Sequence, residues 1–396
     1  MFGLPAWLAV IPVLAFVIFI HELGHFLTAK RFGIKVTEFG FGFPPRLLGV
    51  RHGETTYTLN LLPLGGFVKM VGEEDPTDPR SFARQSVLKR VIVLCAGVAV
   101  NFIVPVAIFT VLFTLPQDTL FESVIVTNVA PRSPAEAGGL RPGDTIISVN
   151  GQRIDNRNEL RQEVFTRLGS STELTVRRGP PISGLSSSPE LATIETLTVV
   201  PRFNPPDLTV VEVLTDAERQ VTLAEARRID PDTSIGDTVR QGEIGFWMSV
   251  ANQRIIKRSH APWKAFPMAV DHLWNVLLIT KNGIVRWIVG GPDPFIGHVG
   301  IAQVTGEVLR AGISPIFEWI AIISISLGIV NILPIPPLDG GRLMFVLLEW
   351  VRRGRRISPK REGLVHMVGF VMLISLIVVM NYRDIVRLLN GESFIR

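Results

Sequence analysis

The sequence predicts a polytopic α-helical membrane protein. It has about four transmembrane helices, membrane-associated β-hairpins and an inserted extracytoplasmic domain of mixed α/β type. Three observations predict this. The 396 residues are 47% hydrophobic with mean hydropathy +0.35, too apolar for an ordinary soluble chain of this length. Four separate stretches approach the ~20 apolar residues that cross a bilayer. Between the second and third, short strand and helix patterns alternate with turn residues.

The elements follow in order. Residues 1–35 form a first helix, apolar over 4–20 and continuing through "HELGH". It lacks a basic start and a small-x-small cleavage site, so it reads as an uncleaved anchor rather than a signal peptide. Residues 36–85, with Gly and Pro punctuation around "TTYTLNL", read as short hairpins that dip toward the membrane from the cytoplasmic side. Residues 86–116 carry the second span, apolar over 91–113.

Residues 117–255 make the extracytoplasmic domain. There 124–154 reads strand, short helix, turn, strand and a tight Asn-Gly turn. An amphipathic helix and two strands joined by a Pro/Gly/Ser loop at 179–189 come next. Residues 204–242 show no clear pattern, and 243–250 read as a returning strand. Residues 256–315 hold aromatic amphipathic stretches suited to the outer interface. The third segment, 316–350, is apolar over 319–338. A basic loop, 351–362, leads to the fourth helix and tail, 363–396, apolar over 363–382.

Charge sets the orientation. Residues 30–90 carry ten Lys or Arg, and 351–362 carry six against one Glu, so both face the cytoplasm by the positive-inside rule. Residues 117–315 and both termini then lie outside. The net charge of +5 is accounted for by such loops, and nothing points to nucleic acid. Cys95, the sole cysteine, excludes an intramolecular disulfide and reads as a packing residue. The short N-terminus, without a transit peptide, favours a bacterial plasma membrane over a plastid.

His21 and His25 are one helical turn apart, so both rings leave the same face and can share a metal. Glu22 is rotated by about 100° and reaches the metal's open position. Chance alone can give H-E-x-x-H, but three ionisable groups on one membrane-buried turn call for a shared reason. Nine residues, ~14 Å of helix, separate His21 from Lys30, which puts the pair nearer the cytoplasmic face.

A zinc hydrolase takes three protein ligands and leaves one position open. Asp339, which follows a long uncharged run and lies toward the same face, is the candidate third ligand. Its alternative is a turn aspartate at the water boundary. Asn331 either holds a substrate carbonyl or makes a helix–helix hydrogen bond. Asn101 reads as structural, and His298 as non-catalytic.

In chain order the sequence carries "HELGH", "LPLGGFVKM" (62–70), "AGVAVNF" (96–102), "GLRPGDTIISVNGQ" (139–152) and "NILPIPPLDGG" (331–341). In these it resembles the bacterial site-2 proteases, the regulator-of-sigma-E protease group of peptidase M50 type, over nearly its whole length. The resemblance implies an intramembrane zinc metalloprotease with one Zn2+ held by His21, His25 and Asp339 and with Glu22 as catalytic base. It implies substrate handling by the Asn331–Pro334 segment, with Gly65 and Gly66 in the "LPLGG" stretch beside it. It makes the external domain PDZ-like, with Gly245 in a carboxylate-binding loop or simply in a core strand. Single-span membrane proteins, such as anti-sigma factors or signal-peptide remnants, are the implied substrates, and a peptide C-terminus is a candidate PDZ ligand.

Departures exist. There is room for one PDZ-like domain where two in tandem are common, Val98 stands where a proline is frequent, and His298 does so in "GHVGIA". Two rivals differ in class. A catalytically silent scaffold acting through its PDZ-like domain predicts a broken constellation, and a metal transporter predicts polar residues along a whole transmembrane path.

Overall fold

The computed structural model describes residues 6–73, 75–179, 192–213, 220–227, 233–355 and 357–391. The expected 179–189 loop lies outside them apart from Gly179. The chain divides into two compact units. One contains 1–114, 261–273 and 295–396, and the other 115–260 and 274–294.

In the first unit a 3-10 turn, Ala6–Ala9, leads into α1, Val10–Arg31. Lys30 and Arg31 in its last turn suit the negative end of the helix dipole, and Gly33, at φ +75°, turns the chain away. Strands β1 (Val36–His52) and β2 (Thr55–Met70) follow, joined by a turn at Gly53 with φ +60°. Short hairpins were expected, but the two strands curl on each other. Residues 36–41 pair with 66–70 on one side and, through 38–41, with 56–59 on the other, while 46–52 pair with 55–60. Glu54 anchors the turn. Lys30 at 3.1 Å and Arg80 at 2.7 Å donate to its carboxylate and hold it below the usual carboxylate range.

Helix α2, Val87–Thr114, is antiparallel to α1 and contacts it through small residues. A Cβ on Gly24 would stand 2.6 Å from the Ala96 carbonyl oxygen, so only glycine lets the backbones approach this closely. Helices α8 (Ile313–Ile332), α9 (Asp339–Val351) and α10 (Pro359–Leu389) complete the unit with α7 (His298–Ala311). The third span was expected over 319–338, but α8 ends at Ile332. Leu333 precedes Pro334 and is extended (φ −63°, ψ 141°), as the proline ring requires.

Four helices are long and apolar enough to cross a membrane: Trp7–Arg31, Val87–Thr114, Ile313–Ile332 and Lys360–Leu389. Nearly the whole apolar surface of α10 is exposed, from Leu364 to Val379, which water would not tolerate and lipid does. At its far end Asp384 and Asn381 accept the Gly300 and Val299 N–H groups, capping the start of α7 from a different helix.

The second unit is built on an antiparallel sheet. Its strands are β3 (Gln117–Val129), β4 (Thr145–Val149), β5 (Gln152–Arg153), β6 (Thr172–Arg178), β7 (Thr193–Val199) and β11 (Phe246–Arg258). The order is β11-β3-β4-β6-β7, with β5 beside β4. Asn150 and Gly151, at φ +47° and +79°, make the expected tight turn. Helix α3, Pro134–Ala137, is capped by Ser133, whose Oγ accepts the Glu136 N–H. Helix α4, Arg157–Thr166, has a capping box. Asn156 Oδ1 accepts the Glu159 N–H, and Glu159 returns to the Asp155 N–H. Val124, Val126, Ile146, Val149, Leu160 and Leu174 lead the core.

The patternless 204–242 region contains β8 (Asp207–Val211), β9 (Gln220–Thr222), α5 (Leu223–Arg227) and β10 (Thr238–Arg240) around Leu208, Val210, Val221 and Ala226. Helix α6, Pro262–Ile288, belongs to both units. Within the first, His272 meets Phe109 and Phe113 near the end of α2. Within the second, Asn282 donates to the Phe165 carbonyl and Arg286 pairs with Glu243.

Candidate active site

The site is assembled on α1 by residues from three other elements. His21 and His25 project from one face of the helix, both buried, with Nε2 atoms 3.2 Å apart. Asp339, the first residue of α9, turns Oδ2 toward both, at 3.0 Å from His21 and 3.1 Å from His25. Two glycines bring it there. A Cβ on Gly340 would press on the Ile332 carbonyl, and one on Gly341 would lie 2.8 Å from the Ile335 carbonyl oxygen. The "DGG" sequence is therefore a close backbone approach as well as turn chemistry.

Helix α2 forms the wall behind the histidines. The Val93 carbonyl accepts from His25 Nδ1 at 2.8 Å, and the Asn101 amide meets His21 Nδ1 at 3.1 Å. Gly97 lies between them, where a Cβ would be 2.7 Å from His21 Cε1 and closer still to His25 Nε2. Residues 93, 97 and 101 repeat every four positions, matching the spacing of the histidines they face. Asn101 was expected to be structural, and its amide meets His21 from one helix to the other. Gly97 was read only as part of a motif, and its four-residue spacing from Asn101 inside an apolar span was the available signal.

The other expected residues divide. Asn331, buried near the end of α8, puts Nδ2 3.2 Å from His21 Nε2 and so joins the cluster. Glu22 is close enough to His25, His21, Asp339 and Arg342 to feel their charges. Gly66 lies beside it, with a Cβ position 3.5 Å from Glu22 Cγ, and Gly65 abuts Ile18. Pro334 is exposed in the link between α8 and α9. Gly245, at φ +86°, belongs to the second unit at the entrance to β11. His298 begins α7.

The donor set suits zinc. Zn–N and Zn–O bonds of about 2.0–2.2 Å in a tetrahedron place ligand atoms roughly 3.3 Å apart. The three donor atoms here stand 3.0–3.2 Å apart. They are two imidazole nitrogens and one carboxylate oxygen facing a common point, which leaves a fourth tetrahedral position open. This is the arrangement of a hydrolytic metal centre, carried on helices able to span a membrane.

The chain belongs to Peptidase family M50, whose family model matches residues 9–376. It is similar to a protein of Clostridium perfringens classed as a zinc metalloprotease, with 30% identity covering 95% of this chain and 98% of the relative. A relative of the same class in Rhizobium meliloti is 29% identical, covering 94% of each chain. Zinc metalloprotease RasP of Geobacillus kaustophilus is 26% identical over 95% of this chain and 96% of its own. The protein is a multi-pass membrane zinc metalloprotease of the site-2 type.

Proposed function

We propose that the protein is an intramembrane endopeptidase that cuts single-span membrane proteins within or near their transmembrane helix. In this reading His21, His25 and Asp339 hold one zinc ion, and Glu22 moves the protons. The convergence of three donor atoms within 3.2 Å of one another carries the reading, because they come from positions 314 residues apart. Zinc, when bound, supplies a Lewis acid for the peptide carbonyl and makes the attacking water easier to deprotonate. Glu22, one residue from His21 and beside Gly66, takes the proton from that water and passes it to the leaving amine. The amide of Asn331 is available to donate to the developing oxyanion. The Asn331–Pro334 segment ends α8 early and leaves a non-helical stretch against which substrate can be held.

A helical substrate must unwind to expose a carbonyl. An added strand beside residues 54–62 is one way to hold the unwound segment. That edge is not free, because 56–59 is already paired on both sides. The other edge of 62–66 has no strand partner among the described residues and runs past Phe19 and Glu22 through Gly65 and Gly66. We assign the role to that edge.

The basic loops favour a site toward the cytoplasm, with 117–255 extracytoplasmic and 256–315 at the outer interface, and we read 117–255 as PDZ-like. The strand and helix order around the Asn150–Gly151 turn supports this. The domain binds a peptide C-terminus near Gly245 or excludes bulky ectodomains. Anti-sigma-factor-like proteins and signal-peptide remnants are the substrate classes.

The test is cleavage of a single-span substrate in detergent by wild type and by Glu22→Gln. The expected result is cleavage inside the span by wild type only. Equal cleavage by both removes the role of Glu22.

A further inference from the structure

The two histidines differ in what stands behind them. His25 Nδ1 meets the Val93 carbonyl oxygen at 2.8 Å. A carbonyl only accepts, so Nδ1 carries a proton, and in the neutral ring Nε2 presents its lone pair to the cluster. His21 Nδ1 meets an amide, Asn101, which is fully buried. In the structure the amide nitrogen faces the ring at 3.1 Å, while Asn101 Oδ1 has no partner among the described residues.

The two ends of an amide have the same shape, and the atomic positions fit either orientation. Counting hydrogen bonds does not choose between them, because one end is left over both ways. The tautomer does choose. If the amide nitrogen donates, His21 Nδ1 must accept, which puts the ring proton on Nε2, 3.0 Å from Asp339 Oδ2. A proton there blocks the atom that a metal needs. If Oδ1 accepts from Nδ1–H, the Nε2 lone pair of His21 faces the same point as that of His25.

We propose that Asn101 is a positioning residue that fixes the metal-binding tautomer of His21 through an Nδ1–H···Oδ1 hydrogen bond. The proposal rests on the reading that His21 and His25 bind zinc.

The local backbone is built to hold this residue still. Pro105 lies inside α2, and having no N–H it leaves the Asn101 carbonyl without its helical partner. Ser324 Oγ of α8 donates to that carbonyl at 3.1 Å. Gly328 of the same helix, where a Cβ would lie 3.3 Å from Asn101 Cβ, lets α8 close over it. The backbone is thus pinned from α8 while the side chain reaches α1. Replacing the side chain leaves the Ser324 bond in place, so packing and orientation can be separated by mutation.

Asn101→Leu and Asn101→Asp make the test, read as zinc affinity by chelator competition on the full-length protein in detergent. Leucine removes the acceptor, and loss of such an outer partner lowers metal affinity about 10- to 100-fold. Aspartate can only accept from Nδ1–H, so it is expected to stay within about threefold of wild type or to bind more tightly. Wild-type affinity in Asn101→Leu overturns the proposal. So does an Asn101→Asp protein as weak as Asn101→Leu, because a donating amide has no substitute in aspartate. His21→Ala tests the underlying reading separately, since undiminished zinc in that variant refutes the ligand assignment itself.

Discussion

Gly97→Ala isolates how tightly the site is held, because it adds one methyl group and no new chemistry. That methyl would be 2.7 Å from His21 Cε1 and 2.8 Å from His25 Cε1. Ordinary contact between such atoms starts near ~3.5 Å, so α2 and the rings must separate by more than about 0.8 Å, since His25 Nε2 is closer still. Metal sites tolerate ligand displacements of about 0.2 Å, and a misplacement near 1 Å costs catalysis on the order of 100-fold. The helix itself does not oppose the change, because alanine is favoured over glycine in a helix interior by about 1 kcal/mol. The expected protein is folded, loses zinc to chelator at least tenfold more readily and cleaves at about 1% of the wild-type rate. The assay pairs zinc retention after dialysis with cleavage of a single-span substrate. Full zinc and full cleavage in Gly97→Ala would refute the view that this glycine sets the spacing of the ligands.

Other outcomes follow from the same geometry. Chelation is expected to abolish cleavage and one equivalent of zinc to restore it, with about 4 kcal/mol of added stability at free zinc 1,000 times the dissociation constant, read by thermal unfolding. Arg90 Nη1 and Glu349 Oε2 form a nearly buried pair at 2.8 Å. Arg90→Met is expected to destabilise by about 3 kcal/mol, and Arg90→Met with Glu349→Leu to recover most of it, measured by denaturant unfolding. Because Lys30 and Arg80 depress the Glu54 carboxylate, its contribution is present above the unfolded carboxylate pKa and lost as pH falls through the lower folded value. Glu54→Gln should therefore flatten the acid limb of the stability profile by removing a small stabilisation at neutral pH, and leave stability below the folded carboxylate pKa almost unchanged.

What could be read from the sequence was what obeys a local period. The i, i+4 histidines needed only the helix repeat, and both lie where that repeat puts them. Asp339 needed one further step, the direction of the third span. The span boundaries were displaced where apolarity and helicity disagree. Leu333 to Leu338 is apolar enough to count toward a span, yet three prolines in six residues cannot continue a helix. The curled β1–β2 pairing was hidden because turn signals report only neighbouring strands, whereas 56–59 also pairs with 38–41 across a longer loop. Asn101 and Gly97 were hidden for a related reason. Their meaning depends on a second helix, and a buried amide in an apolar run looks the same whether it faces a carbonyl or a metal ligand.

Consider the making of the protein in time. A ribosome adds about 5–20 residues per second, and 314 residues separate His25 from Asp339. For tens of seconds after the histidine turn has entered the bilayer, the carboxylate that completes its donor set has not been synthesised. In that interval the nascent chain holds two imidazoles and a glutamate but no three-ligand centre. A membrane protease is surrounded by transmembrane helices during insertion, its own among them. With the three donors split between the first span and a residue beyond the third, they come together only late in synthesis.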